Sequence, residues 1–301
     1  MTARGADSAT TTLPGRAVKQ LLGSSRPVSW VNTAYPFAAA YLLSGGGVTT
    51  ALLVGTLWFL IPYNLLMYGV NDVFDYESDL RNPRKGGLEG IVLAQRWHRL
   101  TLWAAVVTNL PFVLLLVWWG DGPSTATLMV SIFAVIAYSA PGLRFKERPV
   151  LDSMTSSTHF VSPAVFGLAL AGAHVTPAVL AALAAFFVWG MASHAFGAVQ
   201  DIRADRDADI ASVATRFGAR TTVRAACSGY LAAGGLLLLT GWPAMLSALL
   251  VIPYVVNTLP HLSLTDDECE RANPAWRRFI WLNLVTGFFL TQLFIWMTLA
   301  S

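Results

Sequence analysis

Charge is scarce in this chain: only 12% of its 301 residues are Asp, Glu, Lys or Arg, where an ordinary soluble domain carries about a quarter. That shortage, beside a 55% hydrophobic content, excludes a surface wetted on all sides and points to a chain that meets lipid. Cysteine is scarcer still. Cys227 and Cys269 stand in no metal-binding or redox spacing and fall on the side read below as cytoplasmic, which predicts free thiols. Residues 1–27 hold no apolar run able to form a signal-peptide core and read as a flexible cytoplasmic tail, with 28–299 as the transmembrane domain. The net charge of +3 is scattered over several loops and carries no nucleic-acid signature.

What the chain has in abundance is long hydrophobic runs. Stretches able to cross a hydrocarbon core of about 30 Å need roughly 20 apolar residues, and nine are predicted: 28–47, 48–70, 100–119, 124–140, 155–172, 176–199, 222–240, 242–262 and 279–299. With this assignment all 20 Lys and Arg fall on one side, in the N-terminal segment and in the even-to-odd loops. The positive-inside rule then places the N-terminus and those loops in the cytoplasm.

Two polar loops on that side, 71–99 and 200–221, carry acids at four-residue spacing after an amide. The first opens Asn71, Asp72, Asp75, Asp79; the second opens Gln200, Asp201, Asp205, Asp209. On a helix advancing about 100° per residue, Asn71, Asp75 and Asp79 span an arc of about 80°, as do Asp201, Asp205 and Asp209. Asp72 joins the first stripe, whereas Glu77 and Asp207 point away. Carboxylates at a helix C-terminus face the negative end of its dipole, at about 0.3–1 kcal/mol each, and they repel one another. A solvated helix end is the plain alternative for one such run, but two runs at matching places favour a hard cation with oxygen ligands. Mg²⁺ takes a few carboxylates together with water and phosphate oxygens. Two acidic ends facing each other would therefore suit a magnesium-bound allylic diphosphate, with Asp75 and Asp205 central. The same placement in both halves suggests two four-helix halves plus a ninth helix.

A diphosphate also needs donors. Arg81, Arg84 and Lys85 in the first loop and Arg144, Lys146 and Arg148 in the next supply cations, while Tyr138 and Ser139 supply hydroxyls. Ordinary positive-inside charge is the competing explanation for the basic residues. Most of the 11 Trp and 16 Phe read as lipid-facing bulk, with Trp118, Trp119 and Trp242 as an outer belt. His194 lies seven residues before Asp201, on nearly the same helical face, which makes a cavity position possible beside an ordinary structural hydrogen bond. An ion-coupled secondary transporter is the non-enzyme alternative; its acids normally sit near mid-membrane, not at helix ends beside basic loops.

These motifs resemble the UbiA superfamily of intramembrane prenyltransferases. The likeness rests on Asn71, Asp72, Asp75 and Asp79, on Asp201, Asp205 and Asp209, and on the segment from Tyr138 to Lys146. It implies an all-α bundle around a central cavity open sideways to lipid, Mg²⁺ as cofactor and a prenyl diphosphate donor. Leu80 to Gly87, with Arg148 to Asp152, is similar to the lycopene elongase branch of C50 carotenoid synthesis. That branch implies dimethylallyl diphosphate as donor and lycopene as acceptor, with hydration of the final cation. Quinone-type members, the alternative with an aromatic acceptor, more often carry an Arg-Pro pair where this chain has Pro83 before Arg84.

Overall fold

The computed structural model describes residues 13–81 and 91–300. Among the described residues it is helical throughout, with no strand. In chain order the α-helices are α1 (Leu13–Ser24), α2 (Trp30–Leu43), α3 (Thr50–Leu60), α4 (Pro62–Phe74), α5 (Tyr76–Arg81), α6 (His98–Trp119), α7 (Gly122–Ser139), α8 (Leu151–Leu170), α9 (Pro177–Val199), α10 (Ile202–Asp207), α11 (Val213–Phe217), α12 (Ala219–Leu238), α13 (Ile252–Thr258) and α14 (Asn273–Ala300).

Local chemistry sets many of these boundaries. Thr49 caps α3 by accepting from Leu52 N, and Thr176 caps α9 from Val179 N with Pro177 in the first turn. Asp121 and Ser124 form a reciprocal capping box at the start of α7. Pro62 cannot donate a backbone hydrogen bond, and there the predicted span 48–70 divides into α3 and α4. Buried side chains satisfy carbonyls near this break: Asn64 donates to Phe59 O at 2.7 Å, and Asn109 to Pro62 O at 2.7 Å. Inside a membrane such substitutes are needed, because no water is present to bond those groups.

Helical segments occupy each of the nine predicted ranges, and among the described residues six stretches are long and apolar enough to cross a membrane. The exceptions have local causes. α2 is only 14 residues long, and α12 begins among arginines. α8 carries Ser, Thr and His but buries 11 of its residues against protein, where Ser157 donates to Phe187 O at 2.7 Å. The predicted span 242–262, which is one of the six, is a 3-10 run, Ala244–Val251, followed by α13 and a further turn.

Two apolar cores follow the two halves of the chain. One gathers Phe37, Trp58, Phe59, Tyr63, Leu116 and Leu128 from α2 to α7, with Phe166 of α8. The other gathers Phe196, Val223, Tyr230, Tyr254 and Phe279 from α9 to α14. Glycine lets the helices between them approach closely: a Cβ at Gly167 would lie 2.6 Å from Phe37 O, and one at Gly190 would lie 2.4 Å from Ser157 Oγ. Residues 13–24 form α1, and Ser24 and Ser25 at its end are buried.

Candidate active site

A cavity of about 1510 Å³ lies between the halves, above the roughly 300–1,000 Å³ of most small-ligand sites. It follows α9 from Ala178 to Ala198 and α14 from Trp276 to Met297, a length of about 30 Å at 1.5 Å per residue. Leu183, Phe186, Leu284, Phe288 and Phe294 line its apolar stretch. Its other end is bordered by Asn71, Asp75, Asp79, Asp201, Asp205 and Lys146. Beyond Phe279, α14 has no buried residue; it meets α2 where Thr291 Oγ1 donates to Tyr35 Oη at 2.9 Å.

The four-residue spacing survives into the structure because the backbone bonds continue across the helix ends. Asp75 N bonds Asn71 O and Asp79 N bonds Asp75 O, at 2.9 and 2.8 Å, and Asp205 N bonds Asp201 O at 2.8 Å. Asn71, Asp75 and Asp79 therefore share one face toward the cavity, as do Asp201 and Asp205. Asp209 does not extend its stripe: it follows the end of α10 at φ 55°, outside the cavity lining. Asp207, read as pointing away, borders the cavity.

Asn71 Nδ2 donates to Asp75 Oδ2 at 2.6 Å and to Ser139 Oγ at 3.0 Å, so neither bond uses its side-chain oxygen. Lys146 Nζ donates to Asp75, and Arg144 stands 3.9 Å from the same carboxylate while pairing with Glu147. Burial draws the Lys146 ammonium down to about 8, against the opposing pull of Glu147 and Asp205. Arg148 lies over the Phe145 ring at 5.4 Å. Of the other expected diphosphate donors, Arg84 and Lys85 lie outside the described residues, as does the Arg81 side chain. Among the described residues no three carboxylate, imidazole or thiol groups form a ready-made metal cluster.

Asp72 takes a different course from the other acids. It is fully buried, outside the cavity lining, and accepts from Ser24 Oγ at 2.8 Å and Arg26 Nη2 at 3.3 Å. Arg26 also lies over the Tyr68 ring at 4.3 Å and itself borders the cavity. Sequence reasoning passed over Arg26 because an arginine ahead of a first span looks like any positive-inside charge. Its removal takes a charged donor from a buried carboxylate, so Arg26→Ala is expected to destabilise the protein by about 2–3 kcal/mol. Thermal unfolding in detergent checks this; an unchanged midpoint would show that the α1 to α4 contact is dispensable.

Tyr138 and His194 both border the cavity, and Tyr138 Oη lies 3.1 Å from His194 Nε2. His159 packs edge-on against Tyr138, with ring centres 5.2 Å apart.

Comparison with known proteins places these features in a group. The model of the UbiA prenyltransferase family matches residues 33–284. Over 281 residues the chain is 55% identical to a C(50) beta-cyclic carotenoids biosynthesis protein of Dietzia sp., covering 93% of this chain and 65% of that protein, so it spans less than two thirds of that relative. It is 49% identical over 278 residues to a lycopene elongase/hydratase of Corynebacterium glutamicum, covering 92% of this chain and 97% of that one. In fold it is similar to a UbiA homolog from Archaeoglobus fulgidus bound to DMAPP and Mg²⁺, with a TM-score of 0.64 at 20% identity, over 89% of this chain and 99% of that one.

Proposed function

The chain belongs to the UbiA prenyltransferase family, and from that premise we propose that it transfers dimethylallyl from its diphosphate to the ends of lycopene, giving hydroxylated C45 and C50 products. It is an integral membrane protein, and the one-sided Lys and Arg distribution supports a cytoplasmic position for the N-terminus and the acidic end. The observation that carries the reading is the two-ended cavity: carboxylates and Lys146 at one end, and a long apolar bore at the other. A diphosphate belongs to the first end and a rigid hydrocarbon to the second. The similarity to a lycopene elongase/hydratase at 49% identity supports the acceptor.

The donor set fits a hard divalent cation, because Asp75, Asp79, Asp201, Asp205 and the Asn71 oxygen are all oxygen ligands on facing elements. Those residues would hold Mg²⁺, which when bound neutralises charge on a departing diphosphate. Lys146 lies close enough to Asp75 to add a cation at the same place, and Ser139 orients Asn71. The apolar bore offers water few partners beside the allylic cation, which favours its attack by the terminal double bond of the acceptor over capture by solvent. Tyr138, Trp189, Trp276 and Phe279 supply aromatic faces along the way.

Purified protein given dimethylallyl diphosphate, Mg²⁺ and lycopene is expected to form hydroxylated C45 and C50 carotenoids, and to leave 4-hydroxybenzoate unchanged. Chromatography with mass analysis reads both. Prenylation of the aromatic acid with lycopene untouched would retain the family and overturn the acceptor.

A further inference from the structure

Asp152 belongs to neither acidic motif, yet it is fully buried at the start of α8. Its Oδ2 accepts from Val213 N at 2.7 Å, and its Oδ1 accepts from Ser153 N at 2.7 Å and Ser153 Oγ at 3.3 Å. Ser153 Oγ lies 3.1 Å from His194 Nδ1, and His194 Nε2 lies 3.1 Å from Tyr138 Oη. One end of this row is a carboxylate held by donors; the other is a hydroxyl on the cavity wall.

The carboxylate sets the direction of every bond in the row. With the Ser153 O–H donated to Asp152, the Ser153 oxygen is left to accept, and Nδ1 must carry the imidazole proton. Nε2 is then an acceptor, and the Tyr138 O–H donates to it. The Tyr138 oxygen keeps its lone pairs for the cavity. Such an order makes His194 a proton acceptor reached through Tyr138, and Asp152 would stabilise the resulting imidazolium across Ser153.

The prenyl-transfer chemistry has a use for this acceptor that its acids do not meet. The donor C–O bond breaks with its electron pair leaving on the diphosphate. The terminal C=C of the acceptor then supplies the pair for the new C–C bond, and the positive charge moves to an acceptor carbon deeper than the diphosphate. His194 lies seven residues before Asp201 on α9, about 10 Å farther along the helix. Water capture of that cation forms a C–O bond and must release one O–H proton; elimination must release one C–H proton.

We propose that His194, acting through the Tyr138 hydroxyl, accepts the proton released when the acceptor cation is quenched, with Asp152 and Ser153 as positioning residues; this rests on the prenyl-transfer reading above. The proton passes to the Tyr138 oxygen as the Tyr138 proton passes to Nε2. The products are the alcohol, free diphosphate and an imidazolium that later returns its proton to solvent.

The test uses full-length wild type, His194→Asn, Tyr138→Phe, Ser153→Ala and Ser153→Thr with dimethylallyl diphosphate, Mg²⁺ and lycopene, and reads hydroxylated carotenoid formed per diphosphate released. His194→Asn and Tyr138→Phe are expected to lower that ratio by at least about tenfold, a conservative share of general-base catalysis. The lost product should reappear as dimethylallyl alcohol or as unhydroxylated carotenoid. Ser153→Ala should shift the ratio the same way, and Ser153→Thr, which keeps the hydroxyl, should restore it. A wild-type ratio in Tyr138→Phe, which preserves the ring against His159, overturns the proposal even where His194→Asn does not fold. Wild type that releases diphosphate without elongating lycopene overturns the acceptor reading, and this inference with it. A wild-type ratio in all four variants overturns the inference alone.

Discussion

Asp75→Asn, and separately Asp205→Asn, is expected to lower turnover by at least about 100-fold, the scale on which charge stabilisation of a leaving group operates. Asn keeps the shape of the side chain and its capacity for hydrogen bonds but loses the negative charge. The site concentrates that charge from two directions. Asp75 is held on α4's end by Asn71 and meets Lys146 from the loop after α7, while Asp205 enters the same cavity from α10. Because both carboxylates border one space, losing either would, on the proposed reading, remove an oxygen ligand for Mg²⁺ that the other half does not replace. Glu77→Gln is the control, since Glu77 is exposed and outside the cavity lining, and it should leave turnover unchanged. Initial rates with labelled donor, beside gel filtration and helicity in detergent, separate chemistry from folding. Wild-type rates in both Asn variants would remove the metal and diphosphate assignment.

Lys146→Met should reduce kcat/KM for the donor by about 10- to 100-fold, corresponding to roughly 1.5–3 kcal/mol for a hydrogen bond to a charged group. Met keeps most of the length and apolar body of the side chain, so the loop from Phe145 to Glu147 has little reason to move. Lys146 is the basic residue of its loop most enclosed by the site, with 12% of its side chain exposed against 33% for Arg144. That enclosure costs solvation, which is why its ammonium is drawn down to about 8. A diphosphate arriving beside it would repay that loss, whereas the more exposed Arg144 already holds Glu147. Lys146→Arg retains the charge and should recover part of the affinity; Arg144→Met should have the smaller effect. Donor saturation curves decide it, and an unchanged kcat/KM in Lys146→Met would place the diphosphate elsewhere along the cavity.

Much of this molecule was legible from local pattern. The hydrophobic runs marked the helical segments because burial of a helix in lipid is a matter of length and apolar content. Asn71 with the acids at 75 and 79, and the acids at 201 and 205, were legible as shared faces because the helical repeat continues through Asp75 and Asp205. It stopped short at Asp209, where the chain adopts the left-handed conformation and leaves the helix. The same local reasoning set Asp207 off the stripe, although Asp207 also borders the cavity.

By itself, then, the sequence determined the all-helical class, the membrane-spanning character, the family and the two acidic helix ends. All of these depend on spacing along one stretch of chain or on motifs written in order. Only the tertiary structure decided which charged and polar groups meet. Asp72 turns from its neighbours toward Ser24 and Arg26, 48 and 46 residues away, and Lys146 reaches Asp75 across 71. Ser153 meets His194 across 41. Such pairings depend on how closely helices cross, on glycines such as Gly167 and Gly190 that permit it, and on the cost of leaving a buried polar group without a partner.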